Sequence, residues 1–366
     1  MRVTGAARIC PPDLADGWPV AAPGDMGIDP ALLAGLAPQF EAWTDANLHA
    51  ALIAWRGTLI YERYFTGEDW AFARPLGVVA HDATMLHDLR SITKSVTGLV
   101  AGVARDRGWL GDLDRPVLDW LPEHADLRDG GKGAITVRHL LTMTAGFDWN
   151  EDLPYADPRN SERQMMAAPD PVRFVLEQPL RRPPGAVHVY NGGHTTLLAA
   201  VLERASGMPF DALVQETLLA PLGIARAEWV RYDTGMAMAP SGLRLRPRDL
   251  LKVGQVAVGG GRWRDRAIVG ADWIAEATAA HANAQGLWFY GYHWWLGRSL
   301  VGRRELRWAA GIGWGGQRLF VVPELDLVVL ALAGLYGNPA LQPLPGEVVL
   351  RRYALPAALA ASRRPR

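Results

Sequence analysis

The spacing of apolar residues near the start of the chain predicts one helix followed by a two-stranded hairpin. Residues 30–43 are rich in Leu and Ala and predict the helix. Residues 48–55 and 58–65 are strand-like runs of apolar and aromatic residues. Only Arg56 and Gly57 separate the two runs, and a two-residue connection that contains Gly predicts a tight antiparallel turn.

A longer helix is predicted over residues 91–104, with Ser91 at its beginning. Gly98 and Gly102 each cost roughly 1 kcal/mol against Ala inside a helix, so we expect another element to pack closely against them. The apolar positions of this helix recur at i, i+4, i+7, i+8 and i+11 and form one buried face: Ile92, Val96, Leu99, Val100 and Val103.

The last third of the chain returns to strand-like spacing and ends in a helix. Strands are predicted at residues 292–296, 317–323 and 326–333, and the short connection at 323–326 predicts a hairpin between the last two. Residues 346–361 predict a closing amphipathic helix.

Residues 106–244 lack strand alternation and predict helices and loops, most clearly a helix at 197–205. Strands at both ends with helices between them predict an α+β fold, an antiparallel sheet flanked by helices with an inserted, mostly helical region. The predicted domains are a discontinuous α/β sheet domain, residues 1–105 plus 245–366, and an inserted helical domain, residues 106–244.

Composition narrows the classes of protein further. The 366 residues are 49% hydrophobic and 21% charged, which excludes a mainly disordered chain. Because 38 Lys and Arg balance 38 Asp and Glu, we expect no nucleic-acid partner. The single cysteine, Cys10, excludes an internal disulfide framework and a Cys-rich zinc site.

No run approaches the roughly 20 apolar residues of a transmembrane helix, so we expect no membrane span. The first 30 residues contain five prolines and no apolar signal-peptide core. This predicts a cytoplasmic protein, or a periplasmic one if an upstream leader has been removed.

Ser91 and Lys94 form the sharpest chemical pair in the sequence. At a spacing of i, i+3 on one helix their side chains share a face and can touch. A serine hydroxyl becomes a strong nucleophile when a base takes its proton, and we expect burial to favour the free amine that Lys94 would need for this. With three lysines and seven serines in the chain, a chance pair at this spacing is rare. The alternative is a capping serine followed by a lysine whose stem lies along apolar surface.

The residues from Ser91 to Val96, SITKSV, resemble the catalytic signature of the serine hydrolases related to class C β-lactamases. That superfamily also holds D-alanyl-D-alanine carboxypeptidases, esterases and 6-aminohexanoate-dimer hydrolases. The resemblance extends over roughly residues 17–335. Four later segments are similar to family landmarks: 135–147, 184–198, 221–224 and 315–323.

The resemblance implies a β-lactamase/transpeptidase-like fold and a mechanism through a covalent acyl-enzyme. It implies Ser91 as the acylated nucleophile, Lys94 as its proton partner and Tyr190 as the second proton-transfer group. A phenol can act as a base only if nearby positive charge lowers its pKa, and Lys94 would supply that charge. Neither a metal ion nor an organic cofactor is implied.

Two departures from the family pattern change the expected substrate. The tyrosine motif is commonly Tyr-x-Asn, whereas Tyr190 and Asn191 are followed by Gly192. The third motif commonly begins with Lys or His, whereas residues 309–312 contain no cation. Both missing groups help to bind β-lactams or peptides. We therefore expect a hydrolase of small esters or linear amides, similar to the esterase and 6-aminohexanoate-dimer hydrolase branch.

The remaining parts of the expected site lie near Gly311, which is itself expected to contact the substrate because a glycine lets the backbone approach it closely. An oxyanion needs two N–H donors about 3 Å away, and the candidates are Ser91 N–H and Ile312 N–H. Asn191 is expected in the substrate-binding set, and Trp314 is the tryptophan expected to touch the ligand. It belongs to a cluster of five that could shape an apolar pocket: Trp288, Trp294, Trp295, Trp308 and Trp314.

Other motifs give weaker indications. Gly311, Gly313 and Gly316 match G-x-G-x-x-G, but a predicted strand follows them where a dinucleotide site needs a helix. None of the seven serines lies in G-x-S-x-G, which excludes an α/β-hydrolase elbow. The nine histidines show no H-E-x-x-H or paired ligand spacing, so no metal site is expected.

Three functions therefore stay open, and a serine hydrolase of small esters or linear amides is preferred. A non-catalytic peptide or muropeptide sensor on the same scaffold is the alternative from another class. A D-amino-acid peptidase or β-lactamase is the alternative among enzymes. The sequence leaves the oligomeric state open.

Overall fold

The computed structural model describes residues 10–362. Its largest sheet has eight antiparallel strands. The strands within the described range are β1 (Leu48–Trp55), β2 (Thr58–Tyr64), β3 (Thr66–Ala71), β4 (Arg74–Ala80), β5 (His87–Asp88), β6 (Glu228–Trp229), β7 (Leu243–Leu245), β8 (Arg262–Trp263), β9 (Arg266–Ala267), β10 (Ala282–Asn283), β11 (Phe289–Tyr290), β12 (Trp295–Val301), β13 (Arg304–Gly313), β14 (Gln317–Val322) and β15 (Leu327–Ala333).

The large sheet has the strand order β10-β11-β12-β13-β14-β15-β1-β2. β1 pairs with β15, with Ile53 opposite Val329, so strands from the two ends of the chain lie side by side. Arg56 and Gly57 close the β1–β2 hairpin, as the sequence predicted. Their φ angles, 49° and 72°, are both positive, which is typical of a type I′ turn and explains the glycine.

Helices cover both faces of the sheet, so all eight residues of β1 are buried. The helices are α1 (Ala31–Ala34), α2 (Leu36–Ala42), α3 (Ile92–Asp106), α4 (Val137–Leu141), α5 (Ser161–Met166), α6 (Pro171–Glu177), α7 (Gly192–Ser206), α8 (Phe210–Val214), α9 (Pro247–Val258), α10 (Ala271–Ala277), α11 (Leu344–Val348) and α12 (Leu355–Ser362). On one face α3 and α9 pack against the sheet, and on the other face α1, α2 and α12 complete the core.

The two glycines of α3 mark close helix packing, as expected. A Cβ at Gly102 would lie 2.4 Å from Trp273 Cδ1, and a Cβ at Gly98 would lie 2.9 Å from Tyr292 O. The Trp273 indole also donates from Nε1 to Gly98 O over 3.0 Å. Larger residues at either position would push α3 away from these neighbours.

Several predicted boundaries were wrong. The predicted helix at residues 30–43 is two short helices, α1 and α2, divided at Gly35. The strand predicted at 292–296 begins at Trp295 and runs to Val301. The inserted region is not free of strands, because β6 lies within it and pairs with β7, which in turn pairs with β5. The closing helix is confirmed, although a π-helical segment, Val349–Ala354, joins α11 to α12.

The architecture is α+β with an antiparallel sheet flanked by helices, as predicted. The division into a sheet domain and an inserted helical domain stays a prediction, and residues 1–9 and 363–366 of that sheet domain lie outside the described residues. No helix within residues 10–362 combines the length and the apolar character needed to cross a membrane.

Candidate active site

Ser91 lies at the N-terminus of α3, and one turn of the helix brings Lys94 against it. Lys94 Nζ donates to Ser91 Oγ over 3.0 Å and to Pro240 O over 3.3 Å. Lys94 is only 1% exposed. Because Ser91 makes no side-chain capping bond to the helix, the alternative of a simple helix cap is wrong.

Tyr190 lies against the same pair. Lys94 Nζ is 4.7 Å from the centre of the Tyr190 ring, and the Tyr190 hydroxyl interacts with Ser91 and Lys94. The ring also packs against Trp295, with 5.1 Å between the ring centres. The structure therefore brings together the three residues that the sequence proposed for catalysis.

The protonation of Lys94 differs from the expectation drawn from the sequence. Burial lowers the pKa of Lys94. Tyr190 in its ionised form, and then the carboxylates of Glu151 and Glu162, raise this pKa, and together they outweigh burial, so the net shift is upward. Lys94 is therefore an ammonium at neutral pH. This direction is opposite to the one expected from burial alone, because the sequence gave no sign of the two glutamates near Lys94.

The raised pKa of Tyr190 favours the neutral phenol at neutral pH. Its burial raises the pKa of the phenol, the charge of Lys94 lowers it, and the net shift is upward. Lys94 thus acts on Tyr190 in the expected direction without outweighing burial. The resting site holds one ammonium and one phenol beside Ser91.

Two glutamates of the site were missed by the sequence analysis. Glu151 Oε2 accepts from Gly192 N and from Trp149 Nε1, each over 2.7 Å, and Glu162 accepts from the Tyr155 hydroxyl. Burial first, and the charge of Glu162 second, raise the pKa of Glu151 to about 7. A Cβ at Gly192 would lie 3.3 Å from an oxygen of each glutamate. These carboxylates therefore border the position where the Tyr-x-Asn motif has its asparagine.

Ser91, Tyr190 and the two glutamates line a pocket of about 300 Å³. This volume is at the lower limit of the range usual for small-molecule binding sites. Trp288, Trp295 and Trp314 line it, so Trp314 lies where ligand contact was expected. Trp294 and Trp308 do not line it; they are 0% and 2% exposed and pack in the hydrophobic cores on the two faces of the sheet. The apolar wall thus uses three of the five clustered tryptophans.

A buried cation also lines the pocket, although residues 309–312 contain none. Arg318 lies on β14 opposite Ile312 and is 5% exposed. Its Nη1 donates to the carbonyl oxygens of Gly313 and Gln317 over 3.3 and 2.9 Å. Burial lowers the pKa of Arg318 to about 10, so the guanidinium stays charged at neutral pH. The third motif of the family commonly begins with a cation that residues 309–312 lack. In this structure a cation of the pocket lies on the neighbouring strand, β14.

The end of β13 forms one edge of the pocket. The ladder between β12 and β13 ends at Ala310, so residues 311–313 extend beyond it. Ile312 lines the pocket. A Cβ at Gly311 would lie 2.9 Å from Ile92 Cγ2, so Gly311 packs against α3 and lets β13 approach the start of that helix. Gly311 does not itself line the pocket, and its substrate contact stays a prediction.

Asn191 does not face the pocket, contrary to the expectation for it. It is 0% exposed, and its side chain accepts from His194 N over 3.2 Å as the N-cap of α7. The cap fixes the start of α7 directly after Tyr190. Asn191 therefore acts as a helix cap beside Tyr190 and does not line the pocket, and its substrate contact stays a prediction.

Arg90, the residue directly before Ser91, has a strained backbone conformation. Arg90 has a φ of 49°, which is uncommon for a residue other than glycine. Its Nη2 donates to Phe72 O over 2.7 Å, and its Nε lies 3.2 Å from Asp88 Oδ2. The guanidinium also lies 4.8 Å from the centre of the Tyr336 ring. These contacts hold the turn that presents Ser91.

The sequence pattern of the Beta-lactamase family matches residues 49–345. A 6-aminohexanoate-dimer hydrolase of Paenarthrobacter ureafaciens is 26% identical over 335 residues, which cover 86% of this chain and 79% of the relative. Esterase EstB of Burkholderia gladioli is 30% identical over 217 residues, 55% of this chain and about half (53%) of the relative.

The structure of the octameric penicillin-binding protein homologue from Pyrococcus abyssi shares the fold. It superposes with a TM-score of 0.64 at 21% identity and covers 87% of this chain and 76% of its own. The family pattern spans most of the chain, including the segment with Ser91 and Lys94. The chain therefore belongs to the Beta-lactamase family of serine hydrolases, which has esterase and amide-hydrolase relatives.

Proposed function

We propose that this protein hydrolyses small esters or linear amides through an acyl-enzyme on Ser91. The observation that carries the proposal is the 3.0 Å contact between Lys94 Nζ and Ser91 Oγ, with Tyr190 against both. The names of two relatives support the two substrate classes, since one is a 6-aminohexanoate-dimer hydrolase and the other an esterase.

Acylation requires the Lys94–Tyr190 pair to lose a proton first. At rest both groups are protonated, because the pKa of each is raised. After one proton leaves, the Lys94 nitrogen and the Tyr190 oxygen share the remaining acidic proton, and the atom left without it accepts the Ser91 proton as Oγ attacks the substrate carbonyl. The proton-transfer role belongs to the pair, because the two groups titrate together.

Backbone N–H groups stabilise the oxyanion that forms when Ser91 Oγ bonds to the carbonyl carbon. The donors in this proposal are Ser91 N–H at the start of α3 and Ile312 N–H on β13, beyond the end of its ladder with β12. As the bond to the leaving group breaks, the Lys94–Tyr190 pair gives the proton to the departing alcohol or amine. Water then attacks the acyl carbonyl and gives a proton to the pair, and the pair returns this proton to Ser91 Oγ as the bond between Oγ and the acyl carbon breaks and the acid leaves.

The walls of the pocket favour a small, partly apolar acyl group. Trp288, Trp295 and Trp314 provide flat apolar surface in a volume of about 300 Å³. Short acyl chains gain contact with these rings without displacing the buried side chains around them.

The test is labelling with a fluorophosphonate probe, which phosphonylates an activated serine. Intact mass and peptide mapping should show one adduct on Ser91, and Ser91→Ala should show none. Turnover of 4-nitrophenyl esters and linear amides then identifies the substrate class. A folded wild-type protein without an adduct would overturn the proposal and favour the peptide-sensor alternative.

Arg318 supports a second candidate, a D-amino-acid peptidase or β-lactamase. A buried guanidinium at the pocket wall can bind the carboxylate that such substrates carry. Hydrolysis of nitrocefin or of a D-alanyl-D-alanine peptide, lost in Arg318→Gln while ester turnover survives, would establish this function. Ester turnover without either activity would leave the esterase or amidase function alone.

A further inference from the structure

Four polar side chains converge in the interior, away from the pocket. They are His49 on β1, Asp69 on β3, His81 just after β4 and His87 on β5, and none of them lines the pocket of Ser91. Their side chains are at most 6% exposed. Burying four such groups is costly unless each has a partner.

The hydrogen bonds of two of these histidines fix their protons. His49 Nε2 lies 3.1 Å from Glu68 O, and His87 Nδ1 lies 3.0 Å from Asp88 O. A carbonyl oxygen can only accept, so each of these nitrogens carries a hydrogen. A neutral imidazole has one N–H, and the other nitrogen of each ring is therefore a bare acceptor.

These two bare nitrogens face each other. His49 Nδ1 and His87 Nε2 are 2.9 Å apart. Two lone pairs at this distance repel, so the arrangement requires a cation between them. That cation is either a proton, which would make one ring an imidazolium, or a metal ion.

The other two side chains decide between a proton and a metal. Asp69 Oδ1 lies 3.7 Å from His49 Nδ1 and 3.9 Å from His87 Nε2, and Asp69 Oδ2 lies 3.9 Å from His81 Nε2. Asp69 Oδ1 and His81 Nε2 are both buried without a hydrogen-bond partner. A shared proton satisfies only the His49–His87 contact, whereas one metal ion would satisfy all four groups.

The distances suit a tetrahedral ion. One ligand atom each from His49, Asp69 and His81 lies within 4.8 Å of the others. Ligands about 2.0–2.1 Å from a tetrahedral zinc ion are about 3.4 Å from one another. To reach that spacing, the separations of 3.7–3.9 Å between Asp69 and the three histidines would contract, and the 2.9 Å separation between His49 and His87 would widen, each by roughly half an ångström. A Cβ at Gly334 would lie 2.7 Å from His49 Cε1, so this glycine leaves just enough room for the ring.

We propose that His49, Asp69, His81 and His87 bind one structural divalent transition-metal ion of the zinc class. Three imidazoles and one carboxylate form a ligand set that zinc accepts, and four protein ligands leave no open position for substrate. The carbonyl oxygens of Glu68 and Asp88 orient two of the rings from behind, as is common around zinc.

The site ties strands to the segment that leads to the serine. His87 lies four residues before Ser91, and the neighbouring Asp88 pairs with Arg244 over 2.7 Å. The ion would therefore fasten β1, β3 and β5 together behind the strained turn at Arg90. The ligands lie at positions 49, 69, 81 and 87, and the last three follow the first by 20 to 38 residues, so no sequence motif marks them.

The test uses the whole chain, stripped with chelator and dialysed against Zn²⁺ or Co²⁺. Elemental analysis should give one metal per chain, Co²⁺ should give the intense visible bands of a tetrahedral site, and Zn²⁺ should raise the Tm. Asp69→Asn and His81→Asn should lose the bands and the Tm shift. His281→Asn, at an exposed histidine, and Cys10→Ser, at the exposed cysteine, should keep both.

Folded wild-type protein that takes up no metal and shows no cobalt bands would overturn the proposal and indicate a shared proton. Unchanged bands in folded His81→Asn would also overturn it, because the ion would then lie elsewhere. If a ligand variant does not fold, the wild-type cobalt spectrum still decides the question.

Discussion

At the scale of single residues, the decisive contact joins Lys94 to Ser91. Lys94→Ala removes the only amine that contacts Ser91 within residues 10–362, and we expect turnover of a 4-nitrophenyl ester to fall by about 10³-fold. The fold should survive, because the change empties part of a pocket wall. Circular dichroism checks the fold, and Lys132→Ala, outside the pocket, is the matched control. Wild-type turnover in Lys94→Ala would contradict the mechanism.

The glutamates near Lys94 predict an alkaline pH dependence. The reactive form has one proton fewer than the resting pair, and the raised pKa of Lys94 means that this proton leaves only at alkaline pH. The value of kcat/KM should therefore rise with pH. Glu151→Gln and Glu162→Gln each remove a negative charge that raises this pKa, so each should move the rise to lower pH by about one unit.

The pH profile of each glutamate variant is compared with that of Glu305→Gln, which removes an exposed carboxylate paired with Arg298. This control should leave the profile unchanged. Identical profiles in all three variants would show that Lys94 is not the group whose deprotonation controls the rate.

The sequence could identify Ser91 and Lys94 because their contact is local. A spacing of three residues on a helix guarantees that they share a face, whatever the rest of the chain does. Glu151 and Arg318 reach the same pocket from a loop and from a distant strand. Arg318 lies within the family-like segment 315–323, but nothing in the sequence marked either residue as part of the site. Their effect on Lys94 and on the substrate depends on tertiary structure, so the charge of the site could not be predicted.

At the scale of elements, packing and helix propensity make opposite predictions for α3. Gly102→Ala should stabilise an isolated helix by roughly 1 kcal/mol. In the protein the new Cβ would lie 2.4 Å from the Trp273 ring, and overpacking of this kind costs about 1–3 kcal/mol. We expect packing to win, so the free energy of unfolding in urea should fall.

The control for Gly102→Ala is Gly337→Ala, where the added Cβ meets no heavy atom within 4 Å. Its free energy of unfolding should stay within about 0.5 kcal/mol of the wild-type value. A Gly102→Ala protein more stable than wild type would show that α3 can move away from Trp273 at little cost.

Elements with a strong apolar pattern were predictable, and those without it were not. β1 and β15 are apolar along their whole length because both of their faces are covered, and both were found from the sequence. β13 begins with charged residues and ends in glycines, so its strand character comes from its neighbours β12 and β14. The hairpin of β3 and β4 was missed because most of its residues are exposed.

At the scale of the whole molecule, the pocket joins segments that are far apart in the chain. Glu151 and Tyr190 come from the region predicted as an inserted domain, whereas Ile312 and Trp314 come from the region predicted as the sheet domain. The rings of Tyr155 and Trp314 meet edge to face, with 6.1 Å between their centres. This contact closes one side of the pocket between the two regions.

The contact between Tyr155 and Trp314 predicts that the pocket limits the length of the acyl group. Trp314→Ala removes one of the two rings that close this side of the pocket, and the pocket becomes longer. The ratio of kcat/KM for 4-nitrophenyl octanoate to kcat/KM for 4-nitrophenyl acetate should therefore rise about tenfold or more. Trp70→Ala, at a tryptophan 39% exposed on β3, should leave the ratio unchanged. Because both esters share one leaving group, the ratio isolates acyl binding from the chemistry at Ser91. An unchanged ratio in Trp314→Ala would place the acyl chain elsewhere, whereas an equal loss with both esters would indicate a general disturbance of the serine.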